Sequence, residues 1–433
     1  MIHSWLPEAI CAILFVVNPR DSSTERNFGG YTCGASAPFP AYCIERTMAV
    51  TAMIYLDNSA TTRVLPEAAD VAHQYMTECF FNPASAYAAA IATERSVTAA
   101  RTRLASALGV MPEEIIYTSG ATESNNMSIR GAVYAQRGRK RIVTNSSEHP
   151  SVYETFRLFE RNPDVEIVVL GTQSDGSVSI DELSAALTEN TALVSLMHVN
   201  NETGAINDVL GACAVIRRHA PNALFHIDGV QAFCKLPFVS VPCDMYSISG
   251  HKFHAPKGIG ALYLQKDAKF LPTQIGGGQE HTLRAGTLNV PGILAMDAAL
   301  CAYRANHNLW TKQMRACKTR LHANLSALPE VFVNGPPPEA GAGHILNLSF
   351  VGVRGETLLN ALSERGIYVS TGSACSAHKH SKSRTLAALN ISAARQESAI
   401  RFSFCPFTTI EEIDTASAAI TELVAQLRRY KRR

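Results

Sequence analysis

The sequence predicts an α/β fold in which a mainly parallel sheet is covered by helices on both faces and is followed by a smaller α+β unit. Between residues 113 and 264, short β-branched or apolar runs alternate with helical patterns. Strands that alternate with helices in this way build parallel sheets with helices on both sides. After Pro291 the rhythm changes, and long helical patterns flank shorter strands. A length of 433 residues leaves room for two or three domains at roughly 100–200 residues each.

The composition excludes several classes of protein. Apolar residues make up 46% and charged residues 18%, which excludes a disordered chain. The formal charge is 39 − 37 = +2, too small for a dedicated nucleic-acid binder. No apolar run approaches the roughly 18 residues that span a bilayer, so no membrane partner is expected. Eleven cysteines without a C-x-x-C pair predict mostly free thiols in a reducing compartment, and hence a cytoplasmic protein.

The large unit is predicted to contain seven strands, and the smaller one four. The seven strands are expected at residues 114–118, 141–144, 166–170, 192–199, 223–228, 244–249 and 260–264, with helices that include 123–136 and 208–219. The smaller unit is expected to have strands at 331–334, 345–350, 367–370 and 400–404 and helices at 295–328, 356–364 and 410–428. Each assignment depends on the length and periodicity of an apolar run.

The chain is predicted to consist of four segments. Residues 1–52 are predicted to be a poorly ordered extension, because their three arginines and four acids fit neither a secretory signal nor an arginine-rich presequence. Met48 and Met53 are alternative start positions. Residues 53–67 are expected to pack with the small domain, residues 68–305 to form the large cofactor-binding domain, and residues 306–433 to form the small domain.

Unusual polar residues follow the predicted strands, where ligands bind in open α/β sheets. The run 118–125, Thr-Ser-Gly-Ala-Thr-Glu-Ser-Asn, is read equally well as a phosphate cradle at a helix start or as an ordinary capping box. His149 follows the second strand, Asp228 ends the fifth and Lys252 follows the sixth. A cradle, a histidine, an aspartate and a lysine on successive strand ends predict pyridoxal phosphate, with the lysine as the covalent anchor and the aspartate on the pyridinium nitrogen.

Five motifs in order carry a resemblance to a known family. They are Y-L-D-N-S-A-T-T (55–62), T-S-G-A-T-E-S-N-N (118–126), H-V-N-N-E-T-G (198–204), S-G-H-K-x-x-x-P-K-G-I-G (249–260) and R-A-G-T-L-N-V (284–290). From Met53 to about Arg428 the chain resembles the cysteine desulfurases of class V of the pyridoxal-phosphate enzymes. The resemblance implies the aspartate aminotransferase-like (type I) fold, a large domain with a seven-stranded sheet and a smaller α+β domain.

The resemblance also implies a role for each site residue. Lys252 would bind the cofactor covalently, His149 would stack on its ring and move protons, and Asp228 would bind the ring nitrogen. The other residues implied at the cofactor are Ala121, Thr122, Asn201, Gln231, Ser249 and His251, with Thr287 from the neighbouring subunit of a homodimer. Arg401 matches the arginine for the substrate carboxylate, with Asn82 and Asn201 near the same end.

Cys375 is the one cysteine with unusual surroundings. It lies in the Gly/Ser-rich run 370–377, whereas a structural cysteine belongs among apolar neighbours. The run resembles the mobile loop of NifS/IscS-type enzymes. It implies that the Cys375 thiolate takes sulfur from L-cysteine as a persulfide, releases alanine, and passes the sulfur to an acceptor or iron–sulfur scaffold protein, or towards thio-cofactors and thiolated tRNA.

Other interpretations stay open on the sequence alone. The same fold serves aminotransferases and selenocysteine lyases, and a non-catalytic sulfur carrier is a third possibility. The spacing Cys375-x-x-His378-x-His380 resembles half of a metal site, but exposed loop histidines more often bind nothing, so no metal is expected. Two positions depart from the family pattern, which has a small residue at Cys234 and commonly Asp-Ala at 228–229. The basic run 428–433 is a solvated helix end or a docking point for an acidic partner.

Overall fold

The computed structural model of the chain describes residues 53–138, 140–371 and 383–430, which belong to one compact unit of residues 50–433. The predicted extension 1–52 and most of the predicted cysteine loop lie outside the described residues. In the described part of the chain no helix is both long enough and apolar enough to cross a membrane.

A seven-stranded sheet forms the centre of the larger part. In chain order its strands are β2 (Ile115–Thr118), β3 (Lys140–Asn145), β4 (Val165–Leu170), β5 (Thr191–Met197), β6 (Leu224–Asp228), β7 (Met245–Ser249) and β8 (Gly260–Leu264). The spatial order is β2-β8-β7-β6-β5-β3-β4. Strand β8 runs antiparallel to both of its neighbours, β2 and β7, and the other strand pairs of the sheet are parallel. The predicted α/β fold is therefore confirmed, and all seven strands lie at the predicted positions.

Six helices precede or connect these strands. They are α1 (Pro66–Thr77), α2 (Ala88–Leu108), α3 (Ala121–Ala135), α4 (Pro150–Arg157), α5 (Ile180–Ala186) and α6 (Val209–His219). Local capping sets several of their ends. Asp208 accepts a hydrogen bond from the Gly211 amide at the start of α6, and Gly109 ends α2 in the left-handed conformation (φ 69°). Apolar side chains pack on both faces of the sheet, as a doubly covered sheet requires.

The remainder of the chain builds a second core around two small sheets. Strands β9 (Val331–Val333), β10 (Ile345–Phe350) and β12 (Ala399–Ser403) form an antiparallel sheet in the order β12-β10-β9. The first strand of the chain, β1 (Ile54–Tyr55), pairs in parallel with β11 (Ile367–Tyr368). The helices of this part are α8 (Gly355–Glu364), α9 (Arg384–Ala388), α10 (Ala393–Glu397) and α11 (Ile410–Tyr430).

One helix belongs to both cores. Helix α7 (Val290–Leu325) has 36 residues. Its first half, up to Tyr303, packs in the large core, and its second half, from Met314, packs in the smaller core with β10, β12 and α11. The predicted domain boundary at residue 305 falls inside this helix, between the parts that serve each core, and stays a prediction.

Candidate active site

The turn between β2 and α3 presents an open helix start at the end of the sheet. Gly120 (φ 148°) precedes α3, and no side chain caps it. The first-turn amides of a helix have no intrahelical partner and attract anions, so the amides of Ala121 and Thr122 are suited to a phosphate. Strand β8 passes directly beneath this turn, since a Cβ on Gly260 would lie 2.6 Å from the Gly120 Cα. The buried Ser249 also lines this turn, and its hydroxyl oxygen lies 3.6 Å from the position that a Cβ on Gly120 would take.

The Lys252 ammonium is bound by two carbonyls of the N-terminal segment. Its Nζ donates to the carbonyl oxygens of Ser59 (2.6 Å) and Ala60 (2.8 Å). The preceding His251 pairs through Nδ1 with the Thr61 hydroxyl at 3.1 Å, and burial lowers its pKa to about 4. The neutral imidazole of His251 therefore forms a hydrogen bond beside the lysine without adding a second positive charge.

His149 and Asp228 are linked through an amide that sequence reasoning did not single out. The Asn125 side-chain nitrogen donates to Asp228 Oδ2 (2.9 Å) and to the Ser151 hydroxyl (2.8 Å). That hydroxyl lies 2.8 Å from His149 Nδ1, which also accepts from the Ser151 amide at 3.1 Å. Burial lowers the pKa of His149, while the Asp228 carboxylate opposes this effect. Asn125 was part of a quoted motif, but its position in α3 gave no sign of this bridge.

The surroundings of Asp228 fit a protonated ring nitrogen. The carboxylate is 3% exposed, and its hydrogen-bond donors are the neutral amides of Asn125 and Val230. In the described part of the chain it forms no ion pair with a lysine, arginine or histidine. A buried carboxylate needs a cationic or strongly donating partner to offset its desolvation. A pyridinium N–H, together with the open cradle and Lys252, would meet this need, so the residues present fit pyridoxal phosphate.

Gln231 connects the lysine environment to two further buried basic side chains. Its Nε2 donates to the Ser59 carbonyl at 3.0 Å, and its Oε1 faces Lys235 Nζ (3.5 Å) and His344 Nε2 (3.4 Å). Burial, and to a smaller extent Lys252, lowers the pKa of Lys235 to about 7. The side-chain oxygen of Gln231 is thus engaged, and the amide hydrogen that does not bind the Ser59 carbonyl remains available to the cofactor.

Arg401 lies at the opposite edge of the same N-terminal segment. Its Nη2 donates to Asp57 Oδ1 at 2.6 Å, and its Nη1 donates to the Asn201 carbonyl at 3.0 Å. The side chain is 4% exposed, and its Nε is buried without a partner among the described residues. The structure therefore brings Arg401, Asn201 and Lys252 to one segment, and it adds Asp57, which sequence reasoning left without a role.

A buried glutamate beside the site is held at a raised pKa. Glu148 is fully buried, and burial, reinforced by Asp228, raises its pKa well above the ordinary value. Its Oε1 accepts from the Met197 amide at 2.6 Å, while its backbone oxygen accepts from Arg384 Nη2 at 3.1 Å. The Arg384 guanidinium lies 3.6 Å from the ring centroid of Tyr153. This contact positions the start of α9, which begins seven residues after the predicted cysteine run 370–377.

The loop that presents Thr287 is fixed by a buried ion pair. Glu280, His281 and Thr282 all adopt positive φ (46°, 55° and 66°), which costs free energy for residues with side chains. Glu280 compensates, because its carboxylate binds Arg101 through two oxygens (2.5 and 2.9 Å) and accepts from the Tyr117 amide at 2.7 Å. Thr287 itself is exposed.

Glu280→Gln is expected to lower the free energy of unfolding of the apoprotein by about 3–5 kcal/mol, because it leaves the buried Arg101 guanidinium unpaired. The matched control is Glu154→Gln, which breaks an ion pair with Arg157 in which both side chains are more than half exposed, and it should leave the free energy of unfolding almost unchanged because exposed ion pairs are strongly screened by solvent. Urea unfolding monitored by circular dichroism measures both. Equal effects of the two variants would contradict the anchoring role of Glu280.

One of the two departures from the family pattern has a local structural reason. A Cβ on Gly229 would overlap the ring of Tyr246 on β7, so this chain accommodates a larger aromatic residue by using glycine. Cys234 has φ 66°, a conformation that favours glycine, and nothing in the structure explains the cysteine at this position. Neither position removes a polar group from the site.

The predicted site residues fall into three groups. Those around one end of the sheet are His149, Ala121, Thr122, Asn201, Asp228, Gln231, Ser249, His251, Lys252 and Arg401. Asn82 and Thr287 are exposed on loops, and Asn82 uses its side chain to accept from the Ala84 amide (3.0 Å). Cys375, His378 and His380 lie outside the described residues. In the part that is described, no group of three or more His, Cys, Asp or Glu side chains could bind a metal ion.

Comparisons with known proteins agree with this arrangement. Residues 54–415 match the family described as Aminotransferase class-V. The chain is 37% identical over 379 residues to the cysteine desulfurase of Nostoc sp., covering 87% of this chain and 94% of that protein. It is 40% identical over 383 residues to the cysteine desulfurase IscS of Klebsiella pneumoniae, covering 87% and 93%.

Solved structures give the same answer for the fold. A NifS-like protein superposes with a TM-score of 0.81 at 34% identity, covering 86% of this chain and 99% of that one. The structure titled SspA in complex with cysteine superposes with a TM-score of 0.71 at 30% identity, covering 82% and 100%. The chain belongs to the class-V aminotransferase family, in the group of the NifS- and IscS-type cysteine desulfurases.

Proposed function

We propose that this protein is a cysteine desulfurase that uses pyridoxal phosphate to remove sulfur from L-cysteine, giving L-alanine and a persulfide on Cys375. The observation that carries the proposal is that one segment, residues 57–62, contacts both Lys252 and Arg401. An amine that can bind the cofactor and a guanidinium that can bind an α-carboxylate are thus both held by one short segment of the chain.

The chain's own residues would divide the work as follows. Ala121, Thr122 and Ser249 would bind the phosphate, and Asp228, oriented by Asn125, would bind the ring nitrogen. When bound, pyridoxal phosphate supplies an electron sink that weakens bonds at the substrate α-carbon. Lys252 and His149 would move protons at the substrate, since an amine and an imidazole can each accept and donate a proton. Arg401 would bind the substrate carboxylate.

Cys375 would then complete the sulfur transfer. Its thiolate attacks the substrate sulfur, an S–S bond forms, the substrate C–S bond breaks, and the carbon fragment takes up protons and leaves as alanine. The persulfide sulfur would pass to a sulfur-acceptor or iron–sulfur scaffold protein. All seven cysteines of the described residues are free thiols, which supports a reducing compartment such as the cytoplasm.

A homodimer is part of this proposal. Thr287 is exposed and its loop is rigidly anchored through Glu280, as expected if it completes the partner's phosphate site. Exposed aromatic rings also lie near Asn82, where Phe80 stacks on Phe81 (4.8 Å between centroids) and Tyr87 contacts Phe81 edge-on (6.0 Å). Clustered exposed aromatic side chains are typical of subunit interfaces.

The test is an anaerobic assay of holoenzyme with L-cysteine and a reductant, in which alanine and sulfide are both quantified. Wild type is expected to release them in equal amounts. Cys375→Ser should bind the cofactor with an unchanged visible spectrum and lose at least about 10²–10³-fold in turnover, because a hydroxyl is a far poorer nucleophile than a thiolate.

The buried Cys317→Ser variant is the matched control, since this thiol lies in the smaller core and its turnover should stay near that of wild type. Equal activity of Cys375→Ser and wild type would exclude Cys375 as the acceptor and favour the aminotransferase or lyase alternative. A wild-type protein that binds no pyridoxal phosphate would refute the proposed function as a whole.

A further inference from the structure

The 57–62 segment contacts both ends of the proposed substrate site through different atoms. Backbone carbonyls of Ser59 and Ala60 accept from Lys252, and the Asp57 side chain accepts from Arg401. The segment is itself anchored, because the Ser59 amide donates to the Ser403 hydroxyl at 2.8 Å and the Thr62 amide donates to the His251 carbonyl at 3.0 Å. Its position is therefore fixed on both sides of the site.

The Asp57–Arg401 ion pair is the unusual part of this arrangement. A guanidinium that binds a substrate carboxylate is expected to offer its charge to that substrate, but here a carboxylate of the protein already contacts it at 2.6 Å. One oxygen of Asp57 accepts a hydrogen bond from Nη2 of Arg401, and the Asn201 carbonyl accepts one from Nη1. The buried Nε has no partner among the described residues. One face of the guanidinium is occupied, and donors remain for a second carboxylate.

We propose that Asp57 is a positioning residue with two opposing effects on substrate binding. It orients the Arg401 guanidinium, which favours binding of the α-carboxylate. It also offsets the positive charge, which weakens that binding and lets the carboxylate product leave. This inference rests on the proposed function, because it assigns the α-carboxylate of the amino acid to Arg401.

Two substitutions of Asp57 distinguish its effect on the orientation of Arg401 from its effect on the charge. Asp57→Asn keeps an oxygen that can accept from Arg401 Nη2 but removes the negative charge, so carboxylate affinity should rise. Asp57→Ala removes both the acceptor and the charge, so the guanidinium loses its fixed orientation and affinity should fall. Removing the competing charge should change affinity roughly tenfold, which is the order expected for two charges a few ångströms apart under water-like screening.

The experiment measures equilibrium binding of L-alanine and of L-alaninamide to the holoenzyme by calorimetry. Asp57→Asn is expected to bind L-alanine roughly tenfold more tightly than wild type. L-alaninamide has the amine but no carboxylate, so its dissociation constant should not decrease. Asp57→Ala should bind L-alanine more weakly than wild type. Asp70→Asn on the exposed side of α1 changes the net charge equally and should leave both ligands unaffected.

Three outcomes would overturn the inference. One is weaker L-alanine binding in both Asp57→Asn and Asp57→Ala, which would make Asp57 purely structural. Another is that Asp57→Asn binds L-alanine and L-alaninamide more tightly than wild type by the same factor. The third concerns Asp57→Glu, which keeps the charge and covers the case in which the other variants do not fold; roughly tenfold or tighter L-alanine binding there would contradict a charge effect. Failure of wild type to form sulfide from L-cysteine would instead refute the proposed function.

Discussion

Lys252→Ala is expected to lose turnover of L-cysteine by at least about 10⁴-fold, because a single amine serves as covalent anchor and as proton carrier. The structure supports this expectation through the two short hydrogen bonds that direct Lys252 Nζ to the Ser59 and Ala60 carbonyls. Alanine also removes the only atom of this side chain that could bind the cofactor covalently. The measurement is steady-state alanine formation, together with the mass of the protein after borohydride reduction.

Lys257 provides a matched control for this substitution. It lies five residues later on an exposed turn, and Lys257→Ala should keep both the reduced cofactor adduct and wild-type turnover. If borohydride still fixed the cofactor to Lys252→Ala, a different amine would be the anchor. Lys235 would be the first alternative, since it is buried and burial lowers its pKa to about 7.

Acid is expected to destabilise the apoprotein steeply below about pH 6.5, because several histidines are buried in their neutral form. His226 lies between the hydroxyls of Ser195 (2.8 Å) and Ser247 (3.0 Å) in the middle of the sheet, and burial lowers its pKa to about 3. Burial likewise lowers the pKa of His198 and His254 to about 4.

The sign follows from proton uptake on unfolding. Between pH 6.5 and about 4 the unfolded chain binds protons at these positions and the folded chain does not, so the free energy of unfolding falls as the pH falls. For the fully buried His226 the loss approaches about 1.4 kcal/mol per pH unit. Urea unfolding at pH 7.5, 6.5 and 5.5 tests this slope. His226→Asn should flatten it, whereas His73→Asn on the exposed face of α1 should not.

The fold could be predicted because apolar periodicity and loop chemistry agree along most of the chain. All seven sheet strands and the helices α3, α6, α8 and α11 begin or end within a few residues of the predicted positions. The antiparallel insertion of β8 between β2 and β7 was not predicted, because strand order depends on long-range pairing that leaves no local pattern. For the same reason the pairing of β1 with β11, more than 300 residues later, was missed.

The residues of the candidate site likewise divide into those that the sequence pattern could place and those that it could not. Asp228 ends a strand, and Lys252 and His149 lie within a few residues of strand ends, so strand prediction places all three at one edge of the sheet. Asp57 and Glu280 could not be assigned this way, since each acts through a partner far away in sequence, Arg401 and Arg101. Asn125 was hidden for another reason. It lies on the buried face of a helix, where a polar residue has a function only through the neighbours that satisfy it.

Helix α7 has a consequence for how the protein can be divided. Because its first half completes one core and its second half the other, a cut at residue 305 would expose an apolar stripe on each fragment. Neither fragment would be expected to fold alone, because each would lack the half of α7 or the core residues that cover its apolar surface. Engineering that swaps the smaller part between relatives would therefore need its junctions at the two ends of α7 rather than within it.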